Sequence, residues 1–455
     1  MKLNETMFRE YDIRGIVEVD FPDKVVKKLG KAFGTYILRK GGKQISVSGD
    51  IRQSSPILKT NFIKGALSTG LNVIDIGIVP TPVNYYSIYK LETDGAVQIT
   101  GSHNPNEFNG FKFSCLKESF YGQKIQVLKN MILDNDFESG TGKLINTNIL
   151  NDYIQMLCSK IKLKKKIKVI IDSGNACGCL TVPQTLKKLN IDVEELYCDV
   201  DPTFPNHHPD PTIDSNLTEI VSKIKSGDFD LGMAFDGDAD RIVVIDEKGN
   251  IIRCDNLMCL FLPEIITKKN KKIIFDVKCS ESLEKMIIQN GGEPLMWKTG
   301  HSLIKDKMKK ENVEFAGEMS GHIFFADDYY GYDDALYVGL RLLQLLSNTT
   351  KTLSQLTKDI PQYYSTPEMR IDCKDDNEKF NITKKAVAFF TKNYDCKTID
   401  GVRIKFKNGW GLVRSSNTQP VIVCRFESTN EIDLNQMKEL VLSKLSEFGE
   451  LKYDE

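Results

Sequence analysis

The sequence predicts an α/β protein built of three similar α/β units in series, followed by a smaller α+β unit. One observation is that an apolar strand running into a polar turn and a helix start occurs three times: QISVSGDIRQSS near residue 44, KVIIDSGNACG near 168 and KIIFDVKCSES near 272. The other is the common order of elements after each of these strands. A helical stretch leads to a second strand (Asn72–Ile78, Asp192–Leu196, Glu293–Trp297), then to a third that breaks into an unusual loop: VQITGSHNP, LGMAFDGDADR and VEFAGEMSGH. Strands alternating with helices at this spacing imply βαβ units with right-handed crossovers. The order of elements, not matched residues, carries the repeat. Ligands of such sheets gather at the carboxyl ends of strands, where all three odd loops fall.

The 455 residues divide as 1–148, 149–249, 250–365 and 366–455. Residues 146–151 and 246–250 read as junctions, and 366–378, with Pro367 and the run CKDDNE, as the link to the last unit. That unit alternates strands (399–406, 411–413, 421–427) with two helices. Lys plus Arg (61) nearly balances Asp plus Glu (62), for a formal charge of −1. This argues against a broad basic surface for nucleic acid or anionic lipid. The charged start, MKLNETMFREYDIRG, predicts no secretory signal, and the most apolar stretch, 257–266, is too short to span a bilayer. Eleven scattered cysteines without a CxxC pair read as reduced thiols of a cytoplasmic protein. Cys177 and Cys179 lack further ligands nearby and read as packing residues.

Each unit then offers at least one motif. FREYDIRG (8–15), ahead of a helix over 23–38, carries Tyr11 and Arg14; an arginine there is a solvated charge or an anion clamp. The apolar run 96–99 breaks into TGSHNP, where Gly101 and Pro105 forbid regular continuation. Ser102 thus stands at a strand end with His103 beside it and Lys112 a few residues on. Such a serine can carry a covalent group, although its neighbours are also ordinary turn formers.

FDGDADRI follows an apolar strand over 230–235 and sets Asp236, Asp238 and Asp240 at alternate positions. Carboxylates this close repel unless a hard cation neutralises them, and the spacing suits Mg²⁺. A calcium hand is excluded: Arg241 occupies the position that needs glycine, and the β-branched residues 242–245 predict a strand, not a helix.

GEMSGH (317–322) follows a strand over 313–316. Its Glu318 and Ser320 suit the vicinal hydroxyls of a sugar, while a glycine-rich hairpin facing water is the plainer alternative. WKTGHS (297–302) supplies His301, and Lys278 ends another strand. RSSNTQP (414–420) combines Arg414 with Ser416, Asn417 and Thr418, the donors a phosphate monoester requires. Of five histidines, His103, His301 and His322 fall inside these loops; His207 and His208 do not.

FREYDIRG, TGSHNP, DGDADR, GEMSGH and RSSNTQP, in that order, resemble the α-D-phosphohexomutase superfamily, and within it the bifunctional bacterial phosphomannomutase/phosphoglucomutases. The resemblance runs from Phe8 to about residue 427. It implies four domains around a central active-site cleft, and a mutase that interconverts hexose 1-phosphate and hexose 6-phosphate. Ser102 would be the phosphoserine, with a bound hexose 1,6-bisphosphate as intermediate and activator. Ser102, Asp236, Asp238 and Asp240 would hold Mg²⁺. Arg14, His103, Lys112, Arg241 and His322 would serve catalysis. Tyr11, Lys278, His301, Glu318 and Ser320 would bind the sugar phosphate, and Arg414, Ser416, Asn417 and Thr418 its distal phosphate.

The resemblance further implies small sugar phosphates as the only partners, and a monomer or weak homodimer. Met319 points to mannose or glucose phosphates, because phosphoglucosamine mutases tend to have Gln at this place. The alternatives are therefore a phosphoglucosamine mutase and, from another class, a non-catalytic sugar-phosphate binder.

Overall fold

The computed structural model describes residues 3–417 and 420–449, with the backbone alone at 452–453. The three expected repeats share one sheet plan. In the first unit, the parallel strands run Asn72–Ile78, Gln44–Gly49, Gly95–Ile99 across the sheet, and Phe108–Cys115 returns antiparallel to the last of them. The second unit repeats this with Asp192–Leu196, Lys168–Asp172, Leu231–Phe235 and antiparallel Ile242–Asp246. The third does so with Glu293–Trp297, Lys272–Asp276, Phe315–Gly317 and antiparallel Ile323–Phe325.

The return strands explain why the third loop of each unit is short and sharp. Each connects a parallel strand to its antiparallel neighbour, so the chain must turn back at the carboxyl edge. The sequence exposed such a return only in the second unit, where 242–245 is β-branched. In the first unit, polar Asn109, Lys112 and Ser114 mask the alternation.

Two expected junctions belong to sheets. Residues 246–250 form a hairpin turn, since Ile251–Ile252 pairs antiparallel with Ile242–Asp246. The stretch 366–378 contributes the strand Met369–Asp372 and the start of the helix Asp376–Asn393, capped by the Asp375 side chain. Both read as links because they are polar, and edge strands and helix caps are polar for their own reasons. The last unit is an antiparallel sheet with the order Cys396–Lys397, Val402–Phe406, Gly409–Ser415, Val421–Ser428, Met369–Asp372, Lys452–Tyr453. Its helices Asp376–Asn393 and Glu431–Ser446 pack on the sheet around Ile382, Phe390, Val441 and Phe426.

The apolar stretch 257–266 lies in the helix Cys254–Ile265, almost wholly buried. Its Phe261 meets Phe315 and Phe325 edge-on, at 6.0 and 5.2 Å. This helix sits in a continuous apolar core reaching from Val83 of the first unit through Met233 of the second to Phe275 of the third. Among the described residues, no helix is long and apolar enough to cross a membrane.

Candidate active site

The site forms where the return loops converge. Ser102 is buried, with a positive φ of 50°, and Ala239 in the second loop has φ 58°. Non-glycine residues in this region cost roughly 1–2 kcal/mol each, so their surroundings must hold them. For Ser102 the hold comes from Asp50 and Arg52. Asp50 accepts from the Gly101 N–H at 3.0 Å. The Arg52 guanidinium donates to the carbonyls of Ser102, Asn104, Pro105 and Phe108 at 2.8, 2.5, 2.7 and 3.2 Å. A side chain at Gly101 would run into that guanidinium.

The aspartate loop presses directly on this one. A Cβ at Gly237 would collide with the Ser102 carbonyl oxygen, so only glycine allows the approach. The Ser102 hydroxyl consequently donates to Asp236 Oδ2 at 3.1 Å and lies 3.2 Å from His103 Nδ1. Asp236, Asp238 and Asp240 are fully buried, with ligand atoms within 4.8 Å of one another. Lys112 donates to Asp238 and Asp240 at 2.7 and 2.5 Å, and Thr81 to Asp238 at 2.5 Å, yet among the described residues Asp238 Oδ1 has no hydrogen-bond partner. A buried carboxylate oxygen left over in an all-oxygen cluster is the donor set that a hard divalent cation takes. Burial, then the charges of Asp240 and Asp238, push the Asp236 carboxyl well above its ordinary range. A bound cation would relieve that.

Two histidines are tuned in opposite directions. Burial, then Arg241, Arg14 and Arg370, hold His103 well below the usual imidazole range, so its ring is neutral. Burial also opposes charge on His322, but Asp240, with its hydrogen bond, and Glu318 prevail over Arg241 and lift it to about 9. His322 lies 3.2 Å from Asp240 Oδ1 and 3.0 Å from Glu318 Oε2. It is therefore a proton donor at neutral pH rather than an acceptor. Ser320 Oγ is 3.3 Å from His322 Nδ1, and the His301 ring stacks on His322 at 5.6 Å. Arg14 pairs with Asp12 at 2.7 Å, and Arg241 stands 3.9 Å from Asp236.

The outer rim belongs to the third and fourth units. Glu318 accepts from the Gly300 N–H at 2.5 Å, which joins GEMSGH to WKTGHS. Asp276 at the end of its strand accepts from Met319 N–H at 3.2 Å and Thr299 Oγ1 at 2.8 Å. Tyr11 lies edge-on to His301 at 6.1 Å and accepts from Asn417 at 3.0 Å. Lys278 pairs with Glu368 at 3.0 Å, and Arg414 with Asp400 at 2.9 Å, which leaves Arg414 Nη2 buried without a partner among the described residues. The Ser416 N–H donates to the Val421 carbonyl at 2.9 Å. Thr418 lies outside the described residues.

The structure thus gathers Ser102, His103, Lys112, Arg14, Arg241, His322 and the three aspartates at the centre, with the remaining described motif residues around them. It also adds residues that motif reading missed. Asp50, Asp172 and Asp276 close the first strand of each unit, and a comparison of the three repeats would have singled them out. Thr81, Asp333, Glu368, Arg370 and Asp400 carried no local signal. His208, set aside with His207, donates to the His103 carbonyl, while His207 pairs with Asp172 at 3.0 Å. The Pro-rich segment 202–211 therefore braces the serine loop from the second unit.

Known proteins place this geometry. Family models described as phosphoglucomutase/phosphomannomutase match as alpha/beta/alpha domain I over residues 5–137, domain II over 151–249, domain III over 253–364 and C-terminal domain over 368–444. A phosphomannomutase/phosphoglucomutase of Pseudomonas putida is 41% identical over 449 residues, covering 97% of this chain and 96% of the relative. A phosphoglucomutase of Neisseria meningitidis is 39% identical over 446 residues, covering 96% and 97%. The crystal structure of a phosphoglucomutase/phosphomannomutase family protein from Burkholderia thailandensis superposes with a TM-score of 0.92 at 36% identity, covering 99% of this chain and all of that one.

Proposed function

Because this chain belongs to the phosphoglucomutase/phosphomannomutase family, we propose that it is a phosphohexomutase using Ser102 as the phosphoryl carrier, with mannose and glucose phosphates as substrates. It is an isomerase that moves a phosphoryl group between O1 and O6 of one hexose. The observation that carries the serine's role is the approach of its hydroxyl to Asp236, 3.1 Å across two units. That contact puts a nucleophile-sized oxygen at the edge of a cation site.

In the forward half-reaction the bond between phosphorus and Ser102 Oγ breaks, and one forms between phosphorus and a sugar hydroxyl oxygen. The hydroxyl proton leaves, and Oγ regains one. The bisphosphate then turns over, and the reverse transfer restores the phosphoserine. Asp236, Asp238 and Asp240, with a phosphoserine oxygen, would hold Mg²⁺, which when bound neutralises charge on the transferring group. Neutral His103 stands where a proton can be exchanged with Oγ, and Arg14, Lys112 and Arg241 supply positive charge around the same oxygens. Glu318 and Ser320 read hydroxyls from a glycine loop, and Lys278, His301 and Tyr11 orient the ring. Arg414, Ser416, Asn417 and Thr418 grip the phosphate that is not transferred. A hexose 1,6-bisphosphate would prime Ser102. The enzyme would act in the cytoplasm on small sugar phosphates, alone or as a weak homodimer.

The test is a mutase assay on mannose 1-phosphate, glucose 1-phosphate and glucosamine 1-phosphate, with Mg²⁺ and a trace of hexose 1,6-bisphosphate. Turnover of the first two and little of the third supports the reading, with Ser102→Ala abolishing it. Preference for glucosamine 1-phosphate keeps the mechanism and overturns the sugar. Isomerisation by Ser102→Ala overturns the phosphoserine, and no turnover of any substrate favours a binding protein.

A further inference from the structure

Away from the active-site cleft, the first and third units enclose a cavity of about 490 Å³, a size typical of small-molecule sites. It lies towards the amino edges of their sheets. The helix Thr81–Lys90 spans the separation: Thr81 at one end donates to Asp238, while Tyr85 and Tyr89 line the cavity further along. The return strand Phe108–Cys115 likewise starts beside the serine loop and reaches the cavity at Ser114. Tyr89, Tyr330 and Tyr332 form a run of rings in the wall, with successive centroids 4.5 and 5.7 Å apart. Tyr332 is buried, whereas Tyr89 and Tyr330 are only partly so and leave ring surface to an occupant. Most lining charges are already matched. Glu118 pairs with Lys309 at 3.1 Å, Asp306 with Lys310 at 2.7 Å and Lys305 with Asp333 at 2.7 Å, and Glu314 accepts from Asn270 at 2.9 Å. Lys117 differs: among the described residues no carboxylate meets it, and its Nζ lies over the Tyr89 ring at 5.2 Å. Leu116 and Lys117 are the two central residues of the hairpin turn between Phe108–Cys115 and Glu118–Ser119, and both have positive φ, 51° and 59°. That turn favours Asn-Gly, so leucine and lysine stand there against local preference.

We propose that this cavity binds a small planar aromatic anion, its ring extending the stack of Tyr89 and Tyr330 and its acidic group on Lys117. Tyrosine rings offer a flat π surface, which selects an aromatic molecule over a saturated one. The Lys117 ammonium sets a positive charge beside that surface, and a charge-assisted hydrogen bond to it selects an anion. Each lining carboxylate has a donor of its own, so Lys117 is the charge left to recognise a ligand. The chemistry is thus unlike that of the cleft, where hydroxyl, carboxylate and guanidinium groups converge. Lys117 and Tyr89 come from the first unit and Tyr330 from the third, so an occupant bridges the two units at the seam behind the active site.

The experiment is an isothermal titration of the full chain with 2-naphthalenesulfonate, with and without saturating inorganic phosphate. One equivalent is expected to bind, and phosphate, which competes for the active-site loops, should leave it in place. Cyclohexanesulfonate, an anion without an aromatic ring, and 2-naphthol, a ring uncharged at neutral pH, should each bind at least about tenfold more weakly. Leu116→Asn/Lys117→Gly installs the pair that the turn prefers, so the chain should unfold at no lower a temperature. Its affinity should nevertheless fall by about 10- to 100-fold, the worth of a hydrogen bond to a charged group. Lys117→Gln, at an exposed position, should show the same loss. Failure of the parent chain to bind, displacement by phosphate, equal affinity for 2-naphthol, or undiminished affinity in folded Lys117→Gln would each overturn the site.

Discussion

The first three units and the last are attached to the active site by different physics. The former keep apolar cores of their own, such as that around Phe33, Phe62 and Phe113, but are also joined by a common one, running from Val83 and Tyr86 through Met233 and Ile242 to Phe261 and Phe275. The last unit keeps a core of its own around Ile382, Phe390 and Ile422 and, among the described residues, sends Trp410 and Leu412 into the common one, with Ile399 packed against it. Its seam with the third unit is otherwise polar. Arg403 donates to the carbonyls of Val277 and Cys279 at 2.6 and 2.9 Å, Asp400 accepts from the Thr299 N–H at 3.1 Å, and Lys278 pairs with Glu368. Arg425 donates to the Lys278 carbonyl and, at 2.6 Å, towards Met319 Sδ. Apolar burial fixes positions because every displaced contact leaves a void, whereas water can replace hydrogen bonds one at a time. On the proposed reading, the transfer chemistry would be built on the fused part, and the grip on the distal phosphate on a part held mainly by hydrogen bonds and ion pairs.

The largest effect expected on this contrast is from Phe261→Ala. Loss of a fully buried ring should cost about 3–5 kcal/mol and, by calorimetry, lower the unfolding of the first three units while leaving that of the last in place. A single transition shifted as a whole would break the comparison. Next, Gly237→Ala should force the serine and aspartate loops apart. A displacement of this kind is worth about 10²-fold in rate, or roughly 2.7 kcal/mol of barrier. Steady-state kinetics should show it in kcat, with circular dichroism unchanged; an effect confined to KM would mean the contact serves binding instead.

At the seam, Arg403→Met removes two hydrogen bonds and the stacking of the guanidinium on Trp410, at 3.6 Å, at a cost of about 1–3 kcal/mol. Small-angle scattering should broaden, and KM for sugar phosphate should rise more than kcat falls. An unaltered scattering profile would show the last unit to be held otherwise.

The seam should also respond to pH through Glu368. Burial opposes its charge, but Lys278 and Arg370 outweigh this and hold its pKa at about 2, below the usual 4.5. A depressed carboxylate pKa contributes stability that is complete above the unfolded value and lost as pH falls through the folded one. Denaturant midpoints of the parent chain and Glu368→Gln should therefore differ by a constant amount above about pH 4.5 and converge as pH falls from there towards pH 2. Parallel curves over that range would remove the pair from the seam.

Much of the fold was legible because its signals are local. Strands such as Asn72–Ile78, Asp192–Leu196 and Glu293–Trp297 emerged with the bounds read from the chain, since each falls at the same place in the repeated order of strand, helix and strand. The site motifs were equally plain. A loop such as DGDADR places three acids where no ordinary strand end needs them, and nothing beyond its own residues is required to see that.

Other features depend on residues distant in sequence. Nothing near Arg52 says that it binds the loop 50 residues further on, and nothing near His208 that it reaches His103. The protonation of His103 and His322, both beside catalytic loops, is opposite because one faces arginines and the other faces carboxylates. The sequence by itself determined which loops carry chemistry, because side-chain type and local periodicity are properties of short segments. Which loops meet, which atoms are left unpaired and which histidine carries a proton were decided by tertiary structure, because burial and charge act through space on whatever folding brings within a few ångströms.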